Sequence, residues 1–597
     1  MKIALLLPPC NQKCSEPFTM PNMGLAMLTA HLEAEGHSVQ QIDGEKIWFE
    51  KLKGLLSREE HETLLDTAAV KAYVNGLSLP ARKKKALASA AAAILKHLAV
   101  GECALCGISL IDLRVDPLGI NFPALAAAAV KEKFGCKVVI GGKNVPDQAY
   151  LQLMRTFKVY DYGVYARRGE KSLSLIIDRL AGRKAKLYKT VAREKKGLVN
   201  YDAKTEWRPR IQLPAYDRAA LKGYARSAAD ILARYNSGFK AAGGLLKTGK
   251  KYLVVPYLFE LTCPNRCAFC DNDATVPSDR KSLGEVMDDL GRLKEQGVSG
   301  LYIVNPAFNN SYKFASDLCD SMVKARLGLK WVCCANLKFV DKQLLDKMKA
   351  AGAVKLTWGT ETFSQRLLDY VRKGITLQKI KETLAYSHSL GIYNHAELIA
   401  GLPTETDKDI RDSIAFIREN REYIDIYALN QFHLYGESPF VSKPGEFGLK
   451  LRRSPPMSRL NQFYPPGRKV GEYTRLFDEA GGLKWEEKDR QISDSLARVS
   501  EEINRLRGFN AAEEEHTYLL LLLYDVFGYR KDMIRKFYEA LTYRYKPYNL
   551  DFFLENRGIA CGCSKGGELR PLYPLSRYPL FTGAGAIPPG TGAWNGG

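Results

Sequence analysis

A cysteine-rich loop near the middle of the chain restricts its fold and chemistry more than any other feature. Cys263, Cys267 and Cys270 have the spacing Cys-x3-Cys-x2-Cys and follow an apolar, strand-like stretch at 252–258. Three thiolates this close together can hold three corners of a cubane [4Fe-4S] cluster, and without a fourth thiolate at close range one iron is left open for another ligand. Structural zinc sites instead pair two Cys-x2-Cys units around four ligands, and no second pair lies nearby in the sequence. The spacing therefore favours a cluster over a zinc site or three unrelated core thiols.

Length and apolar content bound the class of protein. With 597 residues the chain is too long for one hydrophobic core, and we expect about three or four domains. No stretch reaches the roughly 18 uncharged apolar residues that a membrane span needs. The apolar N-terminal run stops at Pro8-Pro9 and is predicted to be a strand rather than a signal peptide. We therefore expect a cytoplasmic location, where the 13 cysteines stay reduced.

The chain is strongly basic, with a net charge of +22. Much of this charge lies in basic runs at 82–85, 183–186, 193–196 and 247–251. Such runs are either solvated surface loops or a surface for an acidic partner, such as an acidic peptide, a phosphorylated metabolite, nucleic acid or a lipid headgroup. No signature of an RNA- or DNA-binding module accompanies the charge, which argues against nucleic acid.

The order of strand-like and helix-like segments predicts an α/β protein. Residues 1–181 alternate between the two, which is typical of a doubly wound, Rossmann-like domain with a parallel sheet, and a helical insert at 45–100 interrupts the order. A basic linker or subdomain is predicted at 182–250, a second α/β domain at 251–465, and a mostly helical C-terminal domain with a flexible tail at 466–597. The predicted strands are 2–7, 37–43, 104–110, 137–140, 159–164, 252–258, 301–304, 330–335, 354–358, 394–399 and 426–432.

Three segments after the cysteine loop resemble motifs of the radical S-adenosylmethionine (SAM) superfamily. Residues 359–374 resemble its fourth-strand motif, 397–406 its fifth-strand motif, and 433–439 a variant of its sixth-strand motif in which His433 replaces a proline. The resemblance implies a partial β/α barrel with ligand groups at the C-terminal strand ends. It also implies that the glutamate of the fourth-strand motif faces SAM and that the fifth-strand run lies near the adenine. The SAM-binding residues implied are Phe269, Asn305, Glu361, Ile399, Gly401, Leu402 and Pro403.

The N-terminal segment carries a second set of motifs. Pro8-Pro9 follows the first strand, a helix-like run follows at 23–32, and Gly141-Gly142 ends a later strand. These motifs resemble the cobalamin-binding domain fused to one large subclass of radical SAM enzymes; the alternative is a generic nucleotide-binding or merely structural domain. Ligands of doubly wound sheets bind at strand C-termini, and glycine lets a bulky corrin approach the backbone. The cobalamin-binding residues implied are Pro8, Pro9, Met23, Gly24, Leu25, Asp43, Ser109, Leu110, Ile111, Asp112, Gly141, Gly142, Lys143, Asn144, Gly163, Gly169 and Glu170.

One cobalamin motif is absent from the sequence. Asp-x-His-x-x-Gly supplies a lower axial histidine in other cobalamin proteins, and the chain does not contain it. We therefore expect no histidine on cobalt, and we expect residues 110–113 to face the lower side of the corrin. His31 and His37 are expected to be a helix-face residue and a turn residue.

Together the two resemblances imply a cobalamin-dependent radical SAM enzyme, with C-methyltransferase as the leading hypothesis. In this hypothesis a 5′-deoxyadenosyl radical removes hydrogen from a substrate carbon, which then receives a methyl group from SAM by way of methylcobalamin. Ring contraction, cyclisation and other rearrangements stay open, as does a cobalamin-independent enzyme. Among these, a methylthiotransferase needs three more cluster cysteines, and the N-terminal ones do not match that spacing. A basic scaffold or RNA-binding protein with a structural metal is the non-enzyme alternative.

The expected partners follow from the same hypothesis. We expect a small-molecule or peptide substrate of acidic character and an external electron donor of the flavodoxin or ferredoxin type. Tyr435 and His433 lie at the predicted mouth of the barrel and are candidates for catalytic proton transfer.

Overall fold

The computed structural model describes residues 1–9, 20–110, 117–142, 147–166, 168–202, 210–216, 221–232, 249–270, 279–434, 438–452, 476–507 and 513–540. Of the predicted site residues, Ile111, Asp112, Lys143, Asn144 and Tyr435 lie outside these ranges, and their roles stay predictions. Within the described ranges, no helix is both long enough and apolar enough to cross a membrane.

The N-terminal region forms a seven-stranded sheet with helices on both sides. Its elements are β1 (Lys2–Leu7), α1 (Met23–Ala34), β2 (Ser38–Asp43), α2 (Gly44–Ile47), a π-helical turn (Trp48–Leu52), α3 (Lys53–Leu55), α4 (Arg58–Leu65), α5 (Thr67–Val74), α6 (Ala81–Leu98), β3 (Leu105–Ser109), α7 (Leu118–Phe134), β4 (Lys137–Gly141), α8 (Asp147–Thr156), β5 (Tyr162–Val164), α9 (Glu170–Leu180), β6 (Thr190–Glu194) and β7 (Gly197–Tyr201). The strand order is β2-β1-β3-β4-β5-β6-β7. Strands β1 to β5 run parallel, and β6 is antiparallel to both of its neighbours, β5 and β7.

Alternate side chains of β1 bury opposite faces of this sheet, because successive residues of a strand point to opposite sides. Ile3, Leu5 and Leu7 pack with α1 and α9 in one buried cluster. Ala4 and Leu6 pack with α7 and the helices of the insert in another. The predicted doubly wound fold is confirmed.

Two features of this region differ from the expectation. Strands β6 and β7 form a hairpin inside the segment expected to be irregular. Strand β7 is mostly exposed at the sheet edge, so it lacks the apolar pattern that identifies a strand. Helix α7 begins at Leu118 rather than at Pro123, although proline favours the first turn of a helix. The helix continues through the proline, whose missing N–H would have paired with the carbonyl of Gly119.

A short connecting segment ties the two sheets together. The N–H of Ala215 donates to the carbonyl of Ala26 in α1 at 3.0 Å. The hydroxyl of Tyr216 donates to the carbonyl of Pro256 in the second sheet. The hydroxyl of Tyr224 donates to the carboxylate of Asp43 at the end of β2. Ala215, Tyr216 and Tyr224, which lie in the predicted linker, therefore connect the two sheets by hydrogen bonds.

The second sheet has six parallel strands in sequential order, from β10 to β15. The elements of this region are β8 (Arg226–Ser227), α10 (Ala228–Leu232), β9 (Lys251–Tyr252), β10 (Val254–Tyr257), α11 (Leu283–Glu295), β11 (Gly300–Ile303), α12 (Tyr312–Lys324), β12 (Lys330–Ala335), a 3-10 turn (Leu337–Phe339), α13 (Lys342–Ala350), β13 (Ala353–Glu361), α14 (Gln365–Tyr370), α15 (Leu377–Ser389), β14 (Tyr393–Ala400), α16 (Asp407–Glu419), β15 (Ile426–Gln431), α17 (Pro439–Ser442), a second 3-10 turn (Pro444–Phe447), β16 (Leu449–Leu451), β17 (Phe477–Glu479), α18 (Trp485–Arg507), α19 (Glu513–Phe527) and α20 (Lys531–Ala540). A helix follows most strands and packs on the outer face, which buries one large cluster. The predicted partial β/α barrel is confirmed.

Helix α19 fills the inner face of this barrel at the N-terminal ends of the strands. Its apolar residues at 518–524 share a buried cluster with inward residues such as Val254, Val332, Val354 and Tyr393. The approach is close, since a Cβ at Gly300 would lie 2.0 Å from Cδ2 of Leu521. The lower end of the barrel is therefore closed by the C-terminal region. The domain boundaries drawn from the sequence stay predictions.

The close contact between α19 and Gly300 predicts that adding a methyl group at position 300 lowers the stability of the protein. Gly300→Ala should lower the apparent unfolding temperature, because overpacking a filled core costs about 1–3 kcal/mol. Gly284→Ala is the matched control, since a Cβ there meets nothing within 4 Å. Circular dichroism melts of the two variants measure the difference. Equal unfolding temperatures would show that α19 does not press on this strand.

Candidate active site

The cysteine loop follows β10 and is fixed to the barrel through the residue between two of its thiols. The N–H of Ala268 donates to the carbonyl of Val371 at 2.9 Å, and the carbonyl of Ala268 accepts from the N–H of Phe440 at 2.9 Å. Ala268 is fully buried, and Phe269 packs against the same apolar cluster, which includes Leu402. Cys267 and Cys270 therefore flank an anchored turn.

The three thiols lie in a partly buried, electrostatically coupled group. Cys267 is buried, and Cys263 and Cys270 are half-buried. Burial raises the pKa of the Cys267 thiol to about 11, and the nearby ammonium of Lys373 opposes that rise. Burial likewise raises the pKa of Cys263, again opposed by Lys373. In the described part of the chain, no group of three or more His, Cys, Asp or Glu side chains has the arrangement for a single metal ion.

Glu361 ends β13 beside this loop and forms an ion pair with Lys373. The Nζ of Lys373 lies 2.7 Å from Oε1 of Glu361. Burial alone would lower the pKa of Lys373, but Glu361 and the neighbouring thiols raise it above its ordinary value. Gly359 leaves room for the pair, because a Cβ there would lie 2.7 Å from Oε1 of Glu361. Glu361 itself has a positive φ of 61°, a backbone conformation that residues other than glycine rarely adopt.

Two buried asparagines stand on the loop after β11, next to the cysteine loop. Oδ1 of Asn305 accepts from the N–H groups of Phe259 and Glu260, at 3.0 and 3.3 Å. Nδ2 of Asn310 donates to the carbonyl of Thr262 at 2.9 Å. The remaining atoms, Nδ2 of Asn305 and Oδ1 of Asn310, are buried without a hydrogen-bond partner. Because an unpaired buried polar group is costly, these two atoms mark a place for a polar ligand.

The fifth-strand residues and His433 lie at the same end of the barrel. Ile399 is half-buried in β14, and Gly401, Leu402 and Pro403 are buried in the loop that follows. Gly401 has a φ of 84°, and its N–H donates to Oε2 of Glu405 at 3.0 Å. His433 follows β15 and is half-buried.

The N-terminal sheet places most of its predicted cofactor residues at one edge. The strand order reverses between β1 and β3, and such a switch point is where doubly wound sheets bind ligands. Residues at the C-terminal ends of β1, β3 and β4 surround that point: Pro8, Pro9, Ser109, Leu110, Gly141 and Gly142. The loops are in contact, since the N–H of Leu110 donates to the carbonyl of Gly141 at 2.6 Å and a Cβ at Gly142 would lie 1.9 Å from the oxygen of Leu110.

The other predicted residues of this domain have structural contacts. Both oxygens of Asp43 are engaged, one by the N–H of Lys46 at the start of α2 and one by Tyr224. Glu170 is buried and pairs with Arg168 at 2.6 Å. Gly163 lies against Tyr150, and Gly169 caps α9. Gly24 and Leu25 lie in the first turn of α1, where the N–H of Leu25 donates to Asn22.

An apolar cluster joins the two candidate cofactor edges. Met23 and Met27 of α1 pack against Leu258, Leu261 and Val304 at the C-terminal end of the barrel. Leu261 stands two residues before Cys263, and Met23 begins the helix that follows β1. The C-terminal strand ends of both sheets therefore meet beside the cysteine loop.

Sequence reasoning missed three functional candidates at this site. Lys373 lies in the recognised fourth-strand motif, so its charge next to three cysteines was a usable signal. Asn310 carried no signal, because only the fold shows its unpaired oxygen. Lys488, which binds the loop after β14, is far away in sequence.

Comparisons with known proteins agree with this architecture. Residues 259–417 match the radical SAM superfamily. The chain is 23% identical over 436 residues to an uncharacterised methyltransferase of Pyrococcus horikoshii, covering 70% of this chain and 78% of that one. It is 28% identical over 180 residues to the cobalamin-dependent radical SAM methyltransferase TokK of Streptomyces tokunonensis, covering 28% of this chain and 26% of that relative.

Two solved structures share the fold over most of the chain. The methyltransferase TsrM of Kitasatospora setae, with cobalamin and a [4Fe-4S] cluster bound, has a TM-score of 0.52 at 16% identity and covers 90% of this chain and 99% of its own. The radical enzyme OxsB, with aqua-cobalamin and SAM bound, has a TM-score of 0.53 at 14% identity and covers 93% of this chain and 72% of its own. Residues 259–417 carry the radical SAM match, and the similarity to TokK and TsrM agrees with the family and the cofactor set that the sequence predicts.

The position of Glu361 predicts an electrostatic effect on a cluster held by the loop. Glu361→Gln should raise the midpoint reduction potential by on the order of tens of millivolts, because it removes a negative charge near Cys267. The midpoint potential is measured by electron paramagnetic resonance during a redox titration without SAM. Asp369→Asn, at an exposed position on α14, is the control with an unchanged potential. A Glu361→Gln potential equal to that of the control would contradict this arrangement.

Proposed function

We propose that the chain is a cobalamin-dependent radical SAM C-methyltransferase that acts on a small-molecule or peptide substrate. The observation that carries the proposal is the meeting of two C-terminal strand edges. The cysteine loop of the barrel and the switch point of the N-terminal sheet are joined through Met23, Met27 and Leu261. This arrangement suits a reaction in which two cofactors act on one substrate between them.

The barrel residues fit a cluster and SAM. Cys263, Cys267 and Cys270 would hold three irons and leave the fourth for the amine and carboxylate of SAM. Nδ2 of Asn305 can donate to a carboxylate and Oδ1 of Asn310 can accept from an ammonium, so the two unpaired buried atoms match an amino-acid group. Glu361 would face the ribose, and Phe269 and the run from Ile399 to Pro403 would contact the adenine.

The N-terminal edge fits a corrin. The described residues there are small or apolar, and the missing side chain at Gly142 lets its backbone lie close against Leu110. The side chains at Pro8, Pro9, Ser109 and Leu110 carry no imidazole. His31 bonds Ser174 on α9, and His37 lies in the turn before β2. Leu110 would then lie under the lower side of the ring.

When bound, these groups supply a methyl carrier and a one-electron cleavage of SAM that produces a hydrogen-abstracting radical. The chain's own residues would bind and orient these groups and the substrate, and they would exclude water from the site. Ala268 holds the cysteine turn to the barrel, and the Lys373–Glu361 pair keeps a balanced charge beside it. His433 is the described candidate for moving a proton at the barrel mouth. An external flavodoxin- or ferredoxin-type donor would supply the electron, and the basic surface favours an acidic substrate.

Removal of one cluster ligand tests the proposal. Anaerobic protein reconstituted with iron, sulfide and hydroxocobalamin should form 5′-deoxyadenosine from SAM on reduction. Cys267→Ala should lose this product while keeping cobalamin, because the cluster and the corrin are held by different domains. Cys319→Ala, which changes a buried thiol of α12, is the control. Chromatography with mass spectrometry measures 5′-deoxyadenosine, and the visible spectrum measures bound cobalamin. Undiminished 5′-deoxyadenosine formation in Cys267→Ala would refute the cluster assignment.

Labelled SAM separates methyl transfer from rearrangement. With deuterated-methyl SAM and a panel of amino acids and acidic peptides, methyl transfer yields S-adenosylhomocysteine and a labelled product. Tryptophan, the substrate bound in a second TsrM structure, belongs in the panel. Deoxyadenosine without S-adenosylhomocysteine would instead favour cyclisation or another rearrangement.

A further inference from the structure

The loop after β14 is held by the C-terminal region as well as by the barrel. The side chain of Lys488 on α18 is fully buried, and its Nζ donates to the carbonyl of Leu402 at 2.7 Å. The same Nζ lies 3.0 Å from Oε1 of Glu479 on β17. That oxygen also accepts from the N–H of Thr404 at 2.8 Å. One buried ion pair therefore fixes two backbone groups of the loop.

The next turn of α18 adds two further contacts to the same loop. Nε2 of Gln491 donates to the carbonyl of Glu405 at 2.6 Å, while Oε1 of Gln491 accepts from Lys488 at 2.8 Å. A Cβ at Gly401 would lie 2.4 Å from Cγ1 of Ile492. The helix thus packs directly on the loop backbone, where a side chain at position 401 would collide with it.

A lysine is costly to bury unless its charge is paired, as that of Lys488 is with Glu479. Burial lowers the pKa of Lys488, and the carboxylates of Glu479 and Glu405 oppose that effect. Replacing only one partner of a buried ion pair leaves the other charge without compensation. Here it would also leave the carbonyl of Leu402 without its donor, so the loop would lose its fixed conformation.

We propose that Lys488 is a positioning residue for SAM, which acts by fixing the backbone of the loop at 401–405. The inference rests on the proposed function, because the family resemblance places this loop beside the adenine. Lys488 does not touch the reacting atoms in this account. Its removal changes how well the loop is preorganised to bind SAM, and therefore the affinity for SAM rather than the chemistry.

The test is a split between SAM affinity and the rate of SAM cleavage. Lys488→Met should raise the SAM dissociation constant of the reconstituted enzyme about tenfold. At saturating SAM it should form 5′-deoxyadenosine at the wild-type rate. Gln491→Leu removes one loop contact at a half-buried position and should raise the dissociation constant by a smaller factor, about threefold. Arg418→Met is the matched control, since it breaks an ion pair between α16 and α18 away from the loop.

The outcomes distinguish this inference from the proposed function. Wild-type protein that neither binds nor cleaves SAM would refute the proposed function itself. Wild-type binding with unchanged SAM affinity in both Lys488→Met and Gln491→Leu would refute only the role of Lys488. If Lys488→Met does not fold, Gln491→Leu decides the matter alone. Weakened SAM binding in Arg418→Met to the same degree would show a general effect of α18 packing and would also overturn the inference.

Discussion

The contact between α1 and the C-terminal end of the barrel is the interaction on which the site depends. Each sheet alone has a C-terminal strand edge of the kind at which ligands bind. Packing Met23 and Met27 against Leu258, Leu261 and Val304 joins the edges beside the cysteine loop. The contact is apolar, and apolar packing is not directional, so it does not by itself fix the relative orientation of the two sheets. The directional contacts are the hydrogen bonds that Tyr216 and Tyr224 donate to Pro256 and Asp43.

Buried ion pairs stand at several places in the barrel and the C-terminal region. Lys373 pairs with Glu361 beside the thiols, Lys488 pairs with Glu479 under the loop after β14, and Asp425 pairs with Lys531 below the barrel. A buried pair contributes little net stability compared with apolar residues of the same size, yet breaking one costs about 3–5 kcal/mol. Such pairs therefore penalise every alternative conformation more than they stabilise the native one. That property suits loops whose backbone is held in one conformation.

The sequence predicts what depends on local pattern, and it misses what depends on tertiary contacts. Strand β12 is predicted at its observed bounds because five apolar residues follow Lys330, and the motifs around Cys263 and Gly401 lie in the segment that matches the radical SAM superfamily. The hairpin β6–β7 is missed because its outer strand is exposed and has no apolar face. The cofactor-binding role of Asp43 stays a prediction, and the sequence does not show that its two oxygens accept from Lys46 and Tyr224. No periodicity encodes a partner that lies 181 residues away.

The C-terminal region completes the barrel at both of its ends. Helix α19 occupies the lower interior, where Leu521 lies against Gly300, so the substrate cannot enter from that side. Helix α18 holds the loop after β14 at the opposite end. A partial barrel has a wide inner face, and this chain narrows it by filling one end with its own helix. The described C-terminal helices thus fill the lower interior and support one loop of the upper end, which leaves the upper end facing the N-terminal sheet.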